Sequence, residues 1–152
     1  MNLYHGTYND TLIEILKCGY LDNTKAFEDT LYVDKLIEDY IGEKLTNNAL
    51  YLTDDIISAQ LSFDYEIKLT VDVDLDRNKL FVAEYNYRDE ILAYGDDSNE
   101  GVEAIKNYIK SFISYDEYVN NSIKYESPEF LYFDKVNIEH LKENILKHLI
   151  ET

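Results

Sequence analysis

The chain is poor in the residues that brace small or extracellular proteins: 152 residues carry one cysteine, one proline, five glycines and no tryptophan. A single thiol, Cys18, cannot close an internal disulfide, so a cystine-stapled scaffold is excluded and a reducing, cytoplasmic setting is expected. With Pro128 as the sole proline and no Ser/Gly/Pro-rich stretch or internal repeat, no boundary divides the sequence, and residues 1–152 read as one domain. No apolar run approaches the ~20 residues of a membrane span, and the N-terminus lacks a basic-then-apolar leader pattern. Glycine-rich phosphate loops, zinc-type cysteine spacings and nucleophile elbows are missing too, so neither a P-loop nor a metal site is expected.

Positive charge is equally scarce. Fourteen lysines and arginines face 31 acids, for a net charge of −17. Such a field repels phosphate backbones and favours a basic partner. The basic residues form no run that would line a strand of nucleic acid, and the two arginines are Arg77 and Arg88. No basic amphipathic helix offers a membrane-surface anchor either.

What the chain does have is 45 % hydrophobic residues and fifteen tyrosines, enough apolar content to bury a core. Leu3 to His5 reads as a short strand, followed by a helix capped at Asp10, burying Leu12, Ile15 and Leu16 and stopping at Gly19. A second helix runs through Leu31, Leu36 and Ile41. The strand Ala49 to Leu52 leads into a short helix capped at Thr53 or Asp54. From Tyr65 to Leu75 apolar and polar residues alternate, the pattern of a half-buried strand. Asp76-Arg77-Asn78 turns this into Leu80 to Tyr85. Val102, Ile105, Ile109 and Phe112 recur at helical spacing, Phe130 to Val136 reads as a strand, and Ile138, Leu141, Ile145 and Leu149 face inward on a closing helix. Helices beside a mostly antiparallel sheet give an α+β fold.

Three residues stand at strand ends, where ligand-contacting side chains concentrate. His5 follows an apolar strand and precedes Gly6, whose missing side chain lets a ligand approach the backbone; a neutral imidazole there exchanges hydrogen bonds with a hydroxyl. Tyr51 sits where a strand meets a capped helix carrying Ser58, with Phe63 just beyond, and its ring offers a flat face. Glu129 follows Pro128, which imposes an extended backbone on Ser127. A carboxylate opening an apolar strand costs stability unless it is paired or faces a cleft.

These segments resemble a known family. Leu3-Tyr4-His5-Gly6-Thr7, with Ile13 and Gly19, resembles the first motif of ADP-ribosyltransferases of the histidine-tyrosine-glutamate class, which contains the poly(ADP-ribose) polymerases and the diphtheria-type toxins. Ala49-Leu50-Tyr51-Leu52-Thr53-Asp54, then Ser58-Ala59, looks like their second motif. Ser127-Pro128-Glu129-Phe130-Leu131 looks like their third, and is similar to the glutamate strand of the branch that modifies DNA bases. The resemblance implies a split antiparallel sheet with NAD⁺ in the cleft between its halves. It gives Glu129, His5 and Tyr51 the catalytic roles: Glu129 at the 2′-hydroxyl of the nicotinamide ribose, His5 at the adenosine ribose and Tyr51 against nicotinamide. Gly6 and Thr7 contribute backbone to the NAD⁺ site, Ser58 touches the nicotinamide amide, and Phe63 or Tyr65 closes the other face of the ring.

Position 127, two before the glutamate, carries serine where arginine-directed members carry glutamate, which argues against arginine as acceptor. No polymer-elongating element is visible, so the resemblance points to transfer of a single ADP-ribose. The charge favours a basic protein as acceptor over nucleic acid, and the acidic segment Tyr20 to Thr46 lies where an acceptor-facing loop is expected. A bias toward Asn, Ile, Lys and Tyr, as in AT-rich genomes, fits a bacterial or phage effector. An alternative of another class stays open: an acidic binding or inhibitor protein that mimics nucleic acid and occupies a basic surface without catalysis.

Overall fold

The computed structural model describes residues 1–22, 27–62 and 65–151, with residues 61, 62 and 65 described by their backbone alone. The architecture is α+β, built on small antiparallel sheets. Strand β1 (Asn2–Thr7) pairs with β4 (Tyr65–Thr70) in a register that sets Leu3 against Leu69 and Gly6 against Glu66. A second sheet has the order β3-β7-β5-β6, from Leu50–Leu52, Pro128–Tyr132, Leu80–Glu84 and Ile113–Ser114. A short pair joins β2 (Tyr20–Leu21) to β8 (Val136–Asn137). Among the described residues the two larger sheets meet at one bridge, where Tyr4 and Thr53 exchange backbone hydrogen bonds of 2.7 and 3.0 Å.

Strand alternation sorts the core onto the two faces of the four-stranded sheet. Leu50, Leu52, Leu80, Val82, Phe130 and Tyr132 point one way, into a cluster shared with Leu3, Ile67 and Leu69 and with Leu12 and Ile15 of helix α1 (Asn9–Cys18). Ala49, Ala83 and Leu131 point the other way. They meet Val33 and Ile37 of α2 (Glu28–Ile41), Ile91 of α5 (Tyr85–Tyr94) and Ile105 and Tyr108 of α6 (Asn99–Ser111). The remaining helices are α3 (Ile56–Ser62), α4 (Val71–Asp74), α7 (Tyr115–Asn120) and α8 (Lys142–Glu151).

Several boundaries differ from the sequence reading. Strand β1 runs on through Gly6 to Thr7, so His5, paired with Ile67, lies inside the strand rather than at its end. Helix α1 starts after Tyr8, so Asp10 lies in its first turn rather than at the cap. The cap of α3 is Asp55, whose Oδ1 accepts from the Ile57 amide, rather than Thr53 or Asp54. The long alternating strand ends at Thr70: pairing with β1 stops at Asn2–Thr70, and Asp74 Oδ2 accepts from the Thr70 amide and turns the chain into α4. Val73, expected to face inward, is 82 % exposed. The expected strand Phe130 to Val136 is two pieces, β7 and β8, because Asp134 and Lys135 turn between them; Asp134 Oδ1 accepts from the Lys135 amide and Oδ2 from Lys79. Helices α5 and α7 have no counterpart in that reading. Among the described residues no helix is long and apolar enough to cross a membrane.

Candidate active site

A cleft of about 1130 Å³ opens where β1, β3 and the start of β7 come together, above the ~300–1,000 Å³ of ordinary small-ligand sites. His5, Gly6, Thr7, Tyr51, Ser58 and Glu129 all line it. Phe63 lies outside the described residues, as does the side chain of Tyr65. Phe27 and Thr30 bring the start of α2 to the cleft, so part of the Tyr20 to Thr46 segment does border it.

His5 is half-buried at the seam of the sheets, its Nδ1 3.0 Å from the Tyr51 carbonyl oxygen. A carbonyl only accepts, so Nδ1 carries the proton and Nε2 is the accepting nitrogen, with no partner among the described residues. Burial holds the imidazole below its ordinary pKa of 6.5, with the Tyr51 bond offsetting part of that. The ring is therefore neutral at pH 7.

Tyr51 is partly buried, with the Arg88 guanidinium 5.1 Å from its ring centroid. Its hydroxyl lies 3.4 Å from Asp34 Oδ1, and burial pushes its phenol well up. The cation thus lies over one face of the ring. Ser58 borders the cleft, but its hydroxyl donates to Asp55 Oδ2 at 2.8 Å, the carboxylate that caps the helix.

Glu129 is 7 % exposed, in register with Ala83 of β5 and on the sheet face that meets α5 and α6. Tyr108 donates to its Oε2 at 3.2 Å, the one hydrogen bond of this side chain among the described residues. Burial drives its pKa from 4.5 up to about 7, with Arg88 and the Tyr108 bond pulling it back and Asp34 and Asp89 adding to the rise. It thus ionises near neutrality, where small changes around it decide its charge. Just ahead of it, Glu84 accepts from the Ser127 amide at 3.0 Å and from Asn86 at 3.3 Å. One carboxylate therefore pins the approach to β7 to the start of α5.

Behind these residues lies a buried polar set that the sequence reading missed. Arg88 is ion-paired to Asp34 at 2.7 Å, both side chains below 8 % exposed, and donates to the Thr30 carbonyl oxygen at 3.1 Å. Thr46 donates to Asp34 at 2.5 Å. Burial opposes the arginine's charge, while Tyr51, Tyr108, Glu129 and Asp34 around it keep it protonated. Arg88, one of the two arginines in the chain, borders the cleft. Its guanidinium is committed to protein partners, which distinguishes it from an open phosphate pocket. Comparison with protein-family models, with curated proteins and with solved structures finds no match to this chain.

Proposed function

We propose that this protein is an NAD⁺-dependent mono-ADP-ribosyltransferase. The observation that carries this reading is convergence. Three short segments, far apart in sequence and each resembling a motif of one enzyme class, line a single cleft with His5, Tyr51 and Glu129 among its walls. The lining suits a dinucleotide: a neutral imidazole, an aromatic ring backed by a cation, a glycine at position 6 and a buried carboxyl group. The arrangement of β1–β4 beside the four-stranded sheet is compatible with the split sheet that the resemblance implies.

NAD⁺ supplies, when bound, an N-glycosidic bond that releases neutral nicotinamide as positive charge grows on the ribose. Glu129 answers that charge. In a wall that excludes water, its carboxylate attracts a developing cation far more strongly than it would in solvent. Because it ionises near pH 7, a neighbouring positive charge also favours its ionised form. With NAD⁺ bound, His5 would accept a hydrogen bond from a ribose hydroxyl at Nε2, Tyr51 would offer the ring face opposite Arg88, and Gly6 would admit close backbone contact. The surplus of acids over bases makes a basic protein the favoured acceptor.

The test is labelled NAD⁺ incubated with purified protein and a bacterial lysate, beside Glu129→Gln. The variant keeps an acceptor for Tyr108 and is expected to fold and to bind NAD⁺, while turnover falls by about a hundredfold or more. Label in a protein or nucleic-acid fraction that depends on Glu129 would identify the acceptor class. The absence of both label and released nicotinamide with the unmutated protein would overturn the reading and favour a non-catalytic acidic inhibitor.

A further inference from the structure

Four buried polar side chains from four separate elements form a continuous line that ends on Glu129. Asp34 of α2 accepts from Arg88 of α5 at 2.7 Å. Arg88 Nη1 donates to the Tyr108 hydroxyl of α6 at 3.4 Å, and that hydroxyl donates to Glu129 Oε2 of β7 at 3.2 Å. The direction of this line is fixed by chemistry. Guanidinium has donors and no acceptor, so the Tyr108 oxygen must accept from it. The single proton of Tyr108 is then left for Glu129, and the carboxyl group must accept at Oε2.

We propose that Tyr108, oriented by the Arg88–Asp34 ion pair, is a positioning residue that ties Glu129 Oε2 into the wall and leaves Oε1 for the cleft. The proposal rests on the transferase reading and deepens it: it states what aims the carboxylate and keeps it ionisable in a buried site. A purely structural account of the line is weak. Well-packed apolar side chains of similar size commonly match or exceed a buried ion pair in stability, and α5 and α6 already meet through Ile91 and Ile105. Glu129 is faced by Tyr108 from α6, by Arg88, Asp89 and Tyr85 from α5, by Asp34 from α2 and by Tyr51 from β3. Of these, Arg88 and the Tyr108 hydroxyl favour the carboxylate, and the other acids oppose it.

The experiment follows the carboxyl carbon of Glu129 by NMR through a pH titration, assigned by its loss in Glu129→Gln. Nicotinamide release is measured over the same pH range. In Tyr108→Phe, which keeps the ring and removes one hydroxyl, the midpoint is expected to rise by about one pH unit. The acid limb of the rate profile should move with it. At pH 7 this leaves about a tenth of the group ionised in place of about half, so kcat falls about fivefold with KM for NAD⁺ unchanged. A midpoint and limb that stay put in Tyr108→Phe overturn the proposal. Should that variant fail to fold, Arg88→Lys keeps the cation but loses the fork that orients Tyr108, and an unmoved midpoint there overturns it equally. Activity in the unmutated protein with an unmoved limb in the variant removes the relay and leaves the transferase reading standing. A shifted midpoint without any nicotinamide release removes the transferase reading and leaves the positioning of Glu129 standing.

Discussion

A carboxyl group that ionises near neutrality inside a folded chain is coupled to the stability of the fold. Glu129 titrates at about 7 when folded and at its ordinary 4.5 when unfolded, so the folded state binds its proton more tightly. Stability from this group is therefore fully present below about pH 4.5 and is lost as pH rises through about 7. The gap corresponds to about 3 kcal/mol. Glu129→Gln, which cannot ionise, should lose less stability than the parent between pH 5 and pH 8, and urea melts at both values would show the difference narrowing at low pH. At this scale the cleft-facing residues were legible because each has a conspicuous neighbour: Gly6 after His5, Thr53-Asp54 after Tyr51, Pro128 before Glu129; the glycine marks no turn, since it continues β1 opposite Glu66. The supporting residues were not. Arg88 and Asp34 lie in helices where a charged side chain reads as an outer-face residue, and nothing local marks them as a pair 54 positions apart. Tyr108 was within reach, since it is three residues beyond Ile105 on the periodic face of α6, but it was one tyrosine among fifteen.

Where an element stops was legible when a terminator residue agreed with the apolar spacing, and was not when periodicity stood alone. Helix α1 combines apolar spacing with a glycine stop at φ 85°, and the stop is where expected. The strand reading through Leu75 rested on alternation alone. Alternation describes side-chain polarity but says nothing about where a partner strand ends. Helix α5 went unread because Arg88 shares its buried side with Ile91, which breaks the apolar stripe that betrays a helix. The turn between α5 and α6 makes a sharp demand of its own. A methyl group added to Gly101 would lie 1.7 Å from the carbonyl oxygen of Gly95, a backbone atom that cannot swing aside. Gly101→Ala should therefore cost about 3 kcal/mol by forcing that turn off α6. At Gly19 nothing lies within 4 Å of the added atom, and the left-handed backbone alone sets a cost of about 1 kcal/mol for Gly19→Ala. Denaturant midpoints of the two variants, taken with unchanged slopes, would rank them.

Across the whole molecule the net charge of −17 acts as self-repulsion. The melting temperature should rise by several degrees as salt goes from about 10 to 150 mM, where screening shortens to about 8 Å, and scanning calorimetry over that range would register it. A Tm that fell with salt would mean that ion pairs such as Arg77–Asp116 and Lys79–Asp134 outweigh the repulsion. The α+β class was legible at this scale from the mix of helical and alternating periods. The meeting of the two larger sheets at Tyr4–Thr53 was not, because a bridge of one residue on each side leaves no pattern in a sequence. That meeting has a mechanical consequence. Among the described residues the backbone there is stitched by one pair of hydrogen bonds, so resistance to shear between the sheets falls on packed side chains rather than on a ladder of amides. Any molecule lying across the seam, touching His5 on one side and Glu129 on the other, would work as a tie rod: its grip would register as added stiffness of the whole body, even where no atom of the backbone moved.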